Sequence, residues 1–142
     1  MRSFLAAACI VALLSGCGGS GKASPASVVR AWSRALDAGD NDAAANLFAR
    51  DAEVVQAGIV TRLHSHAEAV GWNAALPCSG KIVSLRVRGP VVTAVFLLGD
   101  RKASPCDGPG QHATAIFRVH DGKIVLWHQV PNGAQTPPPP TV

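Results

Sequence analysis

Apolar residues recur at two different periods along this chain, helical in the first half and alternating in the second. Val28, Val29, Trp32 and Leu36 fall at the three-and-four spacing that lays one apolar stripe along an α-helix. Ser24 followed by Pro25 supplies an N-cap and a proline at the first helical position, and Gly39 supplies the stop. Asp40 is placed to cap a second, short helix over residues 41–48. Short strands are expected at residues 53–56 and 59–63, either side of Gly58, and Ser65 caps a third helix ending near Leu76-Pro77. Beyond this point the period drops to two: Val83, Leu85 and Val87 alternate with Ser84, Arg86 and Arg88. Gly89-Pro90 turns the chain into a long apolar strand over 91–98, and a loop over 99–110 carries Cys106. Residues 111–120 and 123–130 form the last two strands, joined by the tight turn Asp121-Gly122. The expected order is α-α-β-β-α-β-β-β-β, an α+β layout with helices first and mostly antiparallel strands later.

The ends of the chain follow different rules. Arg2 precedes an apolar run of 11 residues, from Phe4 to Leu14. That is too short for the ~20 residues that span a bilayer, and it has the layout of a secretory leader. Leu14-Ser15-Gly16-Cys17 resembles the lipobox of bacterial lipoproteins. The resemblance implies cleavage before Cys17, diacylglycerol on its thiol and an acylated new N-terminus, hence a protein held on the extracytoplasmic side of a membrane. More than one acyl chain satisfies the requirement for stable anchoring. The expected division is a leader over 1–16, lipidated Cys17 with a Gly/Ser-rich tether over 17–24, one folded domain over 25–131 and a Pro-rich tail over 132–142.

Composition narrows the function classes. Hydrophobic residues make up 48% of the chain and charged residues 15%, enough to bury a core. The formal net charge is +4, the basic residues are scattered and aromatics are 5%, so nucleic-acid binding has no footprint. Cys9 leaves with the leader and Cys17 carries lipid, so Cys78 and Cys106 remain to pair in an oxidising compartment. Closing that loop is worth about 3–4 kcal/mol in the chain-entropy model.

Several strings resemble the nuclear transport factor 2-like superfamily, which includes ketosteroid isomerase, the polyketide cyclase SnoaL and limonene epoxide hydrolase. The N-terminal matches are Val28-Val29-Arg30-Ala31-Trp32, the Ala38-Gly39-Asp40 break and Leu47-Phe48-Ala49-Arg50-Asp51-Ala52. The last hairpin matches at Phe117-Arg118-Val119-His120-Asp121-Gly122-Lys123-Ile124-Val125-Leu126-Trp127. The resemblance implies a bent, cone-like antiparallel or mixed sheet wrapped around N-terminal helices, with an apolar pocket. It carries catalytic residues over poorly. The position where the cyclase and hydrolase members hold an acid is Gln129, which cannot act as a base. The hydrolase's Arg-x-Asp pair is met only by Leu98-Gly99-Asp100, and the isomerase's tyrosine has no counterpart in a chain with no tyrosine.

Two frames compete at the last strand. A two-residue Asp121-Gly122 turn sets Val119 opposite Ile124 and Phe117 opposite Leu126, which turns His128 inward beside Ala115 and Gln129 outward. The family frame turns position 129 inward. A β-bulge would reconcile the two.

The remaining candidates have plain structural roles. His64-Ser65-His66 is poor geometry for one metal ion, with no third ligand near in sequence. Asp40, Asp42 and Asp51 read as caps and junctions, and Arg86, Arg88 and Arg118 as a solvated sheet face. No metal or cofactor is expected.

The first functional reading is a lipid-anchored module that binds a small apolar ligand or a partner protein without catalysis. Its pocket is lined by Trp32, Leu36, Val83, Leu85, Phe96, Ala115, Phe117 and Gln129. The alternative is an enzyme of the SnoaL, isomerase or epoxide hydrolase kind, with His128 as general base in an apolar setting. An outer sheet face of Val95, Leu97, Ile116, Val125 and Trp127 suggests a homodimer, with Ile116 and Trp127 near its centre.

Overall fold

The computed structural model describes residues 21–132. The leader, Cys17 and nearly all of the Pro-rich tail lie outside the described residues. Among the described residues no helix is long and apolar enough to cross a membrane.

The element order is the expected one: α1 (Pro25–Asp37), α2 (Asn41–Ala45), β1 (Phe48–Gln56), β2 (Ile59–Leu63), α3 (His66–Ala75), β3 (Ser79–Arg88), β4 (Val91–Gly99), β5 (His112–His120) and β6 (Lys123–Val130). The strands form one six-stranded sheet in the order β2-β1-β6-β5-β4-β3. Neighbours are antiparallel except β1 and β6, which run parallel. The fold is therefore α+β with a mixed sheet.

Local chemistry starts each helix where the sequence places it. Ser24 Oγ accepts from Ser27 N–H at 3.2 Å, with Pro25 in the first turn. Asp40 Oδ1 accepts from Ala43 N–H at 2.9 Å. Ser65 and Glu68 form a reciprocal capping box: Glu68 N–H donates to Ser65 Oγ, and the Glu68 carboxylate accepts from His64 N–H. Gly39 ends α1 at φ +72°, a left-handed conformation that a side chain would strain.

Helix α1 lies across the sheet, packing on β3, β4, β5 and β6. Its stripe of Val28, Val29, Trp32 and Leu36 is buried. Trp32 sits at the centre, with its ring edge-on to Phe96 and Phe117 at centroid distances of 6.0 and 5.3 Å and tilted against Trp127 at 6.3 Å. Ser33 donates to the Gly80 carbonyl at 3.0 Å. A Cβ at Gly80 would stand 3.1 Å from Phe96 Cβ, so any side chain here would crowd the β3–β4 packing.

Three strand irregularities bend the sheet and correct the expected alternation. In β3 the pairing steps from Ile82↔Phe96 to Ser84↔Val95, leaving Val83 as the extra residue. Ile82 and Leu85 therefore face the core side, and Val83, expected in the pocket, is 53% exposed. In β6 the pairing steps from Val119↔Ile124 to Arg118↔Leu126, leaving Val125 extra. In β1 the register shifts between Phe48 and Glu53, where Asp51 adopts φ +62°. That kink hid the first half of β1: the strand begins at Phe48, and α2 ends at Ala45 instead of running to 48.

Candidate functional site

An open cavity of about 570 Å³ lies between α1 and the inner face of the sheet. Trp32 and Leu36 of α1, Phe96 of β4, Ala115 of β5 and Trp127 and Gln129 of β6 line it. Its walls come from three connections. They are the β1–β2 turn with Gln56 and Ile59, the α3–β3 junction over 76–79, and the β4–β5 loop with Asp107, Gly108 and Gln111.

Two of those walls are stapled together. Cys78 and Cys106 form a disulfide with Cα atoms 4.6 Å apart. Beside it, Cys106 N–H donates to Asp100 Oδ1 at 2.8 Å, and Ser79 Oγ donates to the Asp100 carbonyl at 2.7 Å. Asp107 Oδ1 lies 3.2 Å from Cys78 Sγ. Cys78, Cys106 and Asp107 are close enough to suggest a metal centre, but both sulfurs are spent in the disulfide, and a disulfide offers no thiolate.

A buried polar network holds the helical side. Trp32 Nε1 donates to Asn73 Oδ1 at 2.9 Å, and Asn73 Nδ2 donates to the Ala69 carbonyl at 2.8 Å. Arg101, 8% exposed, donates to the Asn73 carbonyl at 2.9 Å and to Asn41 Oδ1 at 2.6 Å. Burial pushes its guanidinium below the usual arginine range. Arg101 thus clamps α2, α3 and the β4–β5 loop together, a role the sequence did not signal. Trp127 Nε1 is the one buried side-chain N or O atom without a hydrogen-bond partner among the described residues.

The bulge at Val125 decides between the two frames at the last strand. Phe117 pairs with Trp127 and Ala115 with Gln129, so Trp127 and Gln129 face inward. His128 pairs with Ile116 on the opposite face and does not line the cavity. The general base expected of an enzyme reading is therefore not at the cavity. Trp127, expected outward at a dimer centre, is 5% exposed and packs on Trp72 at 4.9 Å. Of the residues expected in the pocket, Trp32, Leu36, Phe96, Ala115 and Gln129 line it. Val83 is on the exposed bulge, Leu85 packs at the core's edge, and Phe117 is wholly enclosed in the core. The sequence reading missed Gln56, the last residue of β1, and Asp107 and Gln111 of the β4–β5 loop. The Cys78–Cys106 pairing was the usable signal for Asp107, since it draws residue 107 to the end of α3.

A second hollow, of about 380 Å³, is lined by Arg50, His64, Ser65, His66 and Lys123 among others. His64 Nδ1 is 2.7 Å from Asp51 Oδ1, and His66 Nε2 is 2.7 Å from Asp42 Oδ1. The hydrogen bond from His64 holds the Asp51 carboxyl below the usual carboxylate range. Lys123 donates to the Asn46 carbonyl. These groups fasten surface elements to each other.

The profile of the SnoaL-like domain family matches residues 29–127. The chain belongs to the SnoaL-like family. Solved structures share the architecture of this SnoaL-like domain. An NTF2-like protein of unknown function from Cytophaga hutchinsonii superposes with a TM-score of 0.64 at 11% identity, over 78% of this chain and 92% of that one. A candidate polyketide cyclase from Sinorhizobium meliloti gives 0.61 at 20% identity, over 72% and 93%. An LEH-like epoxide hydrolase of M. tuberculosis gives 0.54 at 18%, over 72% and 77%. At such identities the likeness is one of fold, and function on a shared fold is argued from the site. No curated protein matches the sequence.

Proposed function

We propose that this SnoaL-like domain is a non-catalytic binding module, carried on the extracytoplasmic side of a membrane by lipid on Cys17, that holds a small apolar ligand in its cavity. One observation carries the reading. The cavity lining combines aromatic and aliphatic side chains with carboxamides and hydroxyls, and its one ionisable side chain among the described residues, Asp107, stands on a solvent-exposed loop. An apolar pocket with a few polar groups is the usual form of a small-molecule site, whereas acid–base turnover needs a titratable group within hydrogen-bond reach of the substrate. Gln129, at the position where the cyclase and hydrolase members carry an acid, can orient a ligand and cannot remove a proton from it.

Native mass spectrometry of protein purified from its source tests the binding reading. A co-purifying small molecule, lost when Ala115→Trp fills the cavity, supports it; ligand-free protein under gentle desorption overturns it. The anchor has its own test. Cys17→Ala is expected to leave the precursor unprocessed and to move the protein out of the detergent phase. An unchanged membrane fraction in that variant would sink the anchoring reading.

Self-association through the outer sheet face is a further part of the proposal. Val95 and Ile116 are half-buried there, and Leu97 is exposed. Sedimentation of the lipid-free chain is expected to show a dimer that Ile116→Lys disrupts. A strict monomer at high micromolar concentration would remove the idea.

A further inference from the structure

We infer that the cavity selects an apolar organic cation, an amine whose hydrocarbon body rests on Trp32 and Phe96 and whose ammonium group meets Asp107 at the mouth. The inference rests on the binding reading above and adds the charge of the ligand to it.

The ground is the distribution of charge around the opening. Of the described residues lining the cavity, Asp107 is the only one with an ionisable side chain, Cys78 being locked in the disulfide. Among the described residues Asp107 forms no ion pair. Neither cation of the same loop lines the cavity. Arg101 is spent on Asn73 and Asn41, and the stem of Lys102 lies along Gly39. An anionic ligand would meet a like charge and no counter-charge. A neutral ligand could donate a hydrogen bond to Asp107 but would gain none of the attraction between opposite charges.

A cation gains from several groups at once. The aromatic faces of the lining carry the negative side of the ring quadrupole. The carboxamide oxygens of Gln56, Gln111 and Gln129 can each accept from an N–H donor. The backbone that carries Asp107 is held in place, because its neighbour Cys106 is tied covalently to Cys78 and by its N–H to Asp100. The chain's formal charge of +4 opposes a cation only weakly, since charges farther away than about 8 Å are largely screened at physiological salt.

A matched pair of rigid probes of equal size tests this on the full chain: 1-aminoadamantane, protonated at neutral pH, and the uncharged 1-adamantanol, each followed by tryptophan fluorescence. The amine is expected to bind about tenfold more tightly than the alcohol at low salt. Asp107→Asn is expected to bring the amine down to the alcohol's affinity and to leave the alcohol unchanged. Equal binding of the two probes, or an equal loss of both in Asp107→Asn, overturns the cation inference and leaves the binding module standing. Failure of both probes to bind overturns the cavity reading as well.

Discussion

Gln129 near one end of β6 faces a large cavity with a single ionisable side chain among the described residues, while Lys123 at the other end borders a small hollow ringed by Arg50, His64 and His66. The small hollow holds the groups that look like chemistry in a sequence. Yet each histidine there is paired with a carboxylate, His64 with Asp51 and His66 with Asp42, and all four residues are exposed. They tie α3 to α2 and the β2–α3 junction to β1, and Lys123 ties β6 to the chain after α2. In the large cavity Ser33 and Ser79 are spent on backbone carbonyls, whereas the carboxamides of Gln56, Gln111 and Gln129 make no side-chain hydrogen bond among the described residues. The comparison teaches that titratable residues are a poor guide to the site here. The place with spare bonding capacity is the place with almost no charge.

The strongest way to break the contrast is to remove the cavity's floor. Trp32→Ala deletes the ring shared by α1, β4, β5 and β6 and strips Asn73 Oδ1 of its donor. A loss of about 3–5 kcal/mol is expected in urea unfolding. Next comes the staple. The Cys78→Ser, Cys106→Ser double variant is expected to lose about 3 kcal/mol, for a bridge between residues 28 apart. It is also expected to weaken probe binding, because both stapled segments line the cavity; calorimetric unfolding and a probe titration check the two parts. Asn73→Ala leaves the Trp32 N–H buried without an acceptor and is expected to cost about 1–3 kcal/mol in the same unfolding assay.

The small hollow should respond far less. Asp51 is held below the ordinary carboxylate value of 3.8, chiefly by the His64 hydrogen bond. A depressed folded-state pKa means that its contribution to stability is present above the unfolded value and is lost as pH falls through the folded one. Carboxyl NMR titration should place the Asp51 midpoint below 3.8, and His64→Ala should raise it toward that value. Unfolding at neutral pH should scarcely change in His64→Ala, because exposed pairs are worth little. A large loss there would erase the difference between the two regions.

The element order was legible because caps and periods are local signals. Ser24-Pro25, Asp40 and Ser65 start the helices where the sequence placed them. Trp32, Leu36, Phe96 and Ala115 were legible for the same reason, as inner positions of α1, β4 and β5, whereas only the family frame turned Gln129 inward. What the sequence hid was register. Val83 and Val125 are apolar residues in apolar strands, so nothing in their own chemistry marks them as the extra residue of a bulge. Each shift inverts every inward and outward assignment on one side of it, which moved Val83 out and turned Trp127 and Gln129 in. Arg101 and Asp107 stayed hidden because their roles depend on contacts with α2, α3 and Cys78, far away in sequence.

The position of β6 has a consequence for how the chain reaches this state. The last strand in sequence lies in the interior of the sheet, between β1 and β5. Until residues 123–130 are available, β2-β1 and β5-β4-β3 are two separate pieces, and Trp32 lacks the Trp127 face of its cage. The β1–β6 pairing also spans nearly the whole domain, which is the kind of long-range contact that slows folding. The sheet therefore cannot close until the final strand has emerged from synthesis.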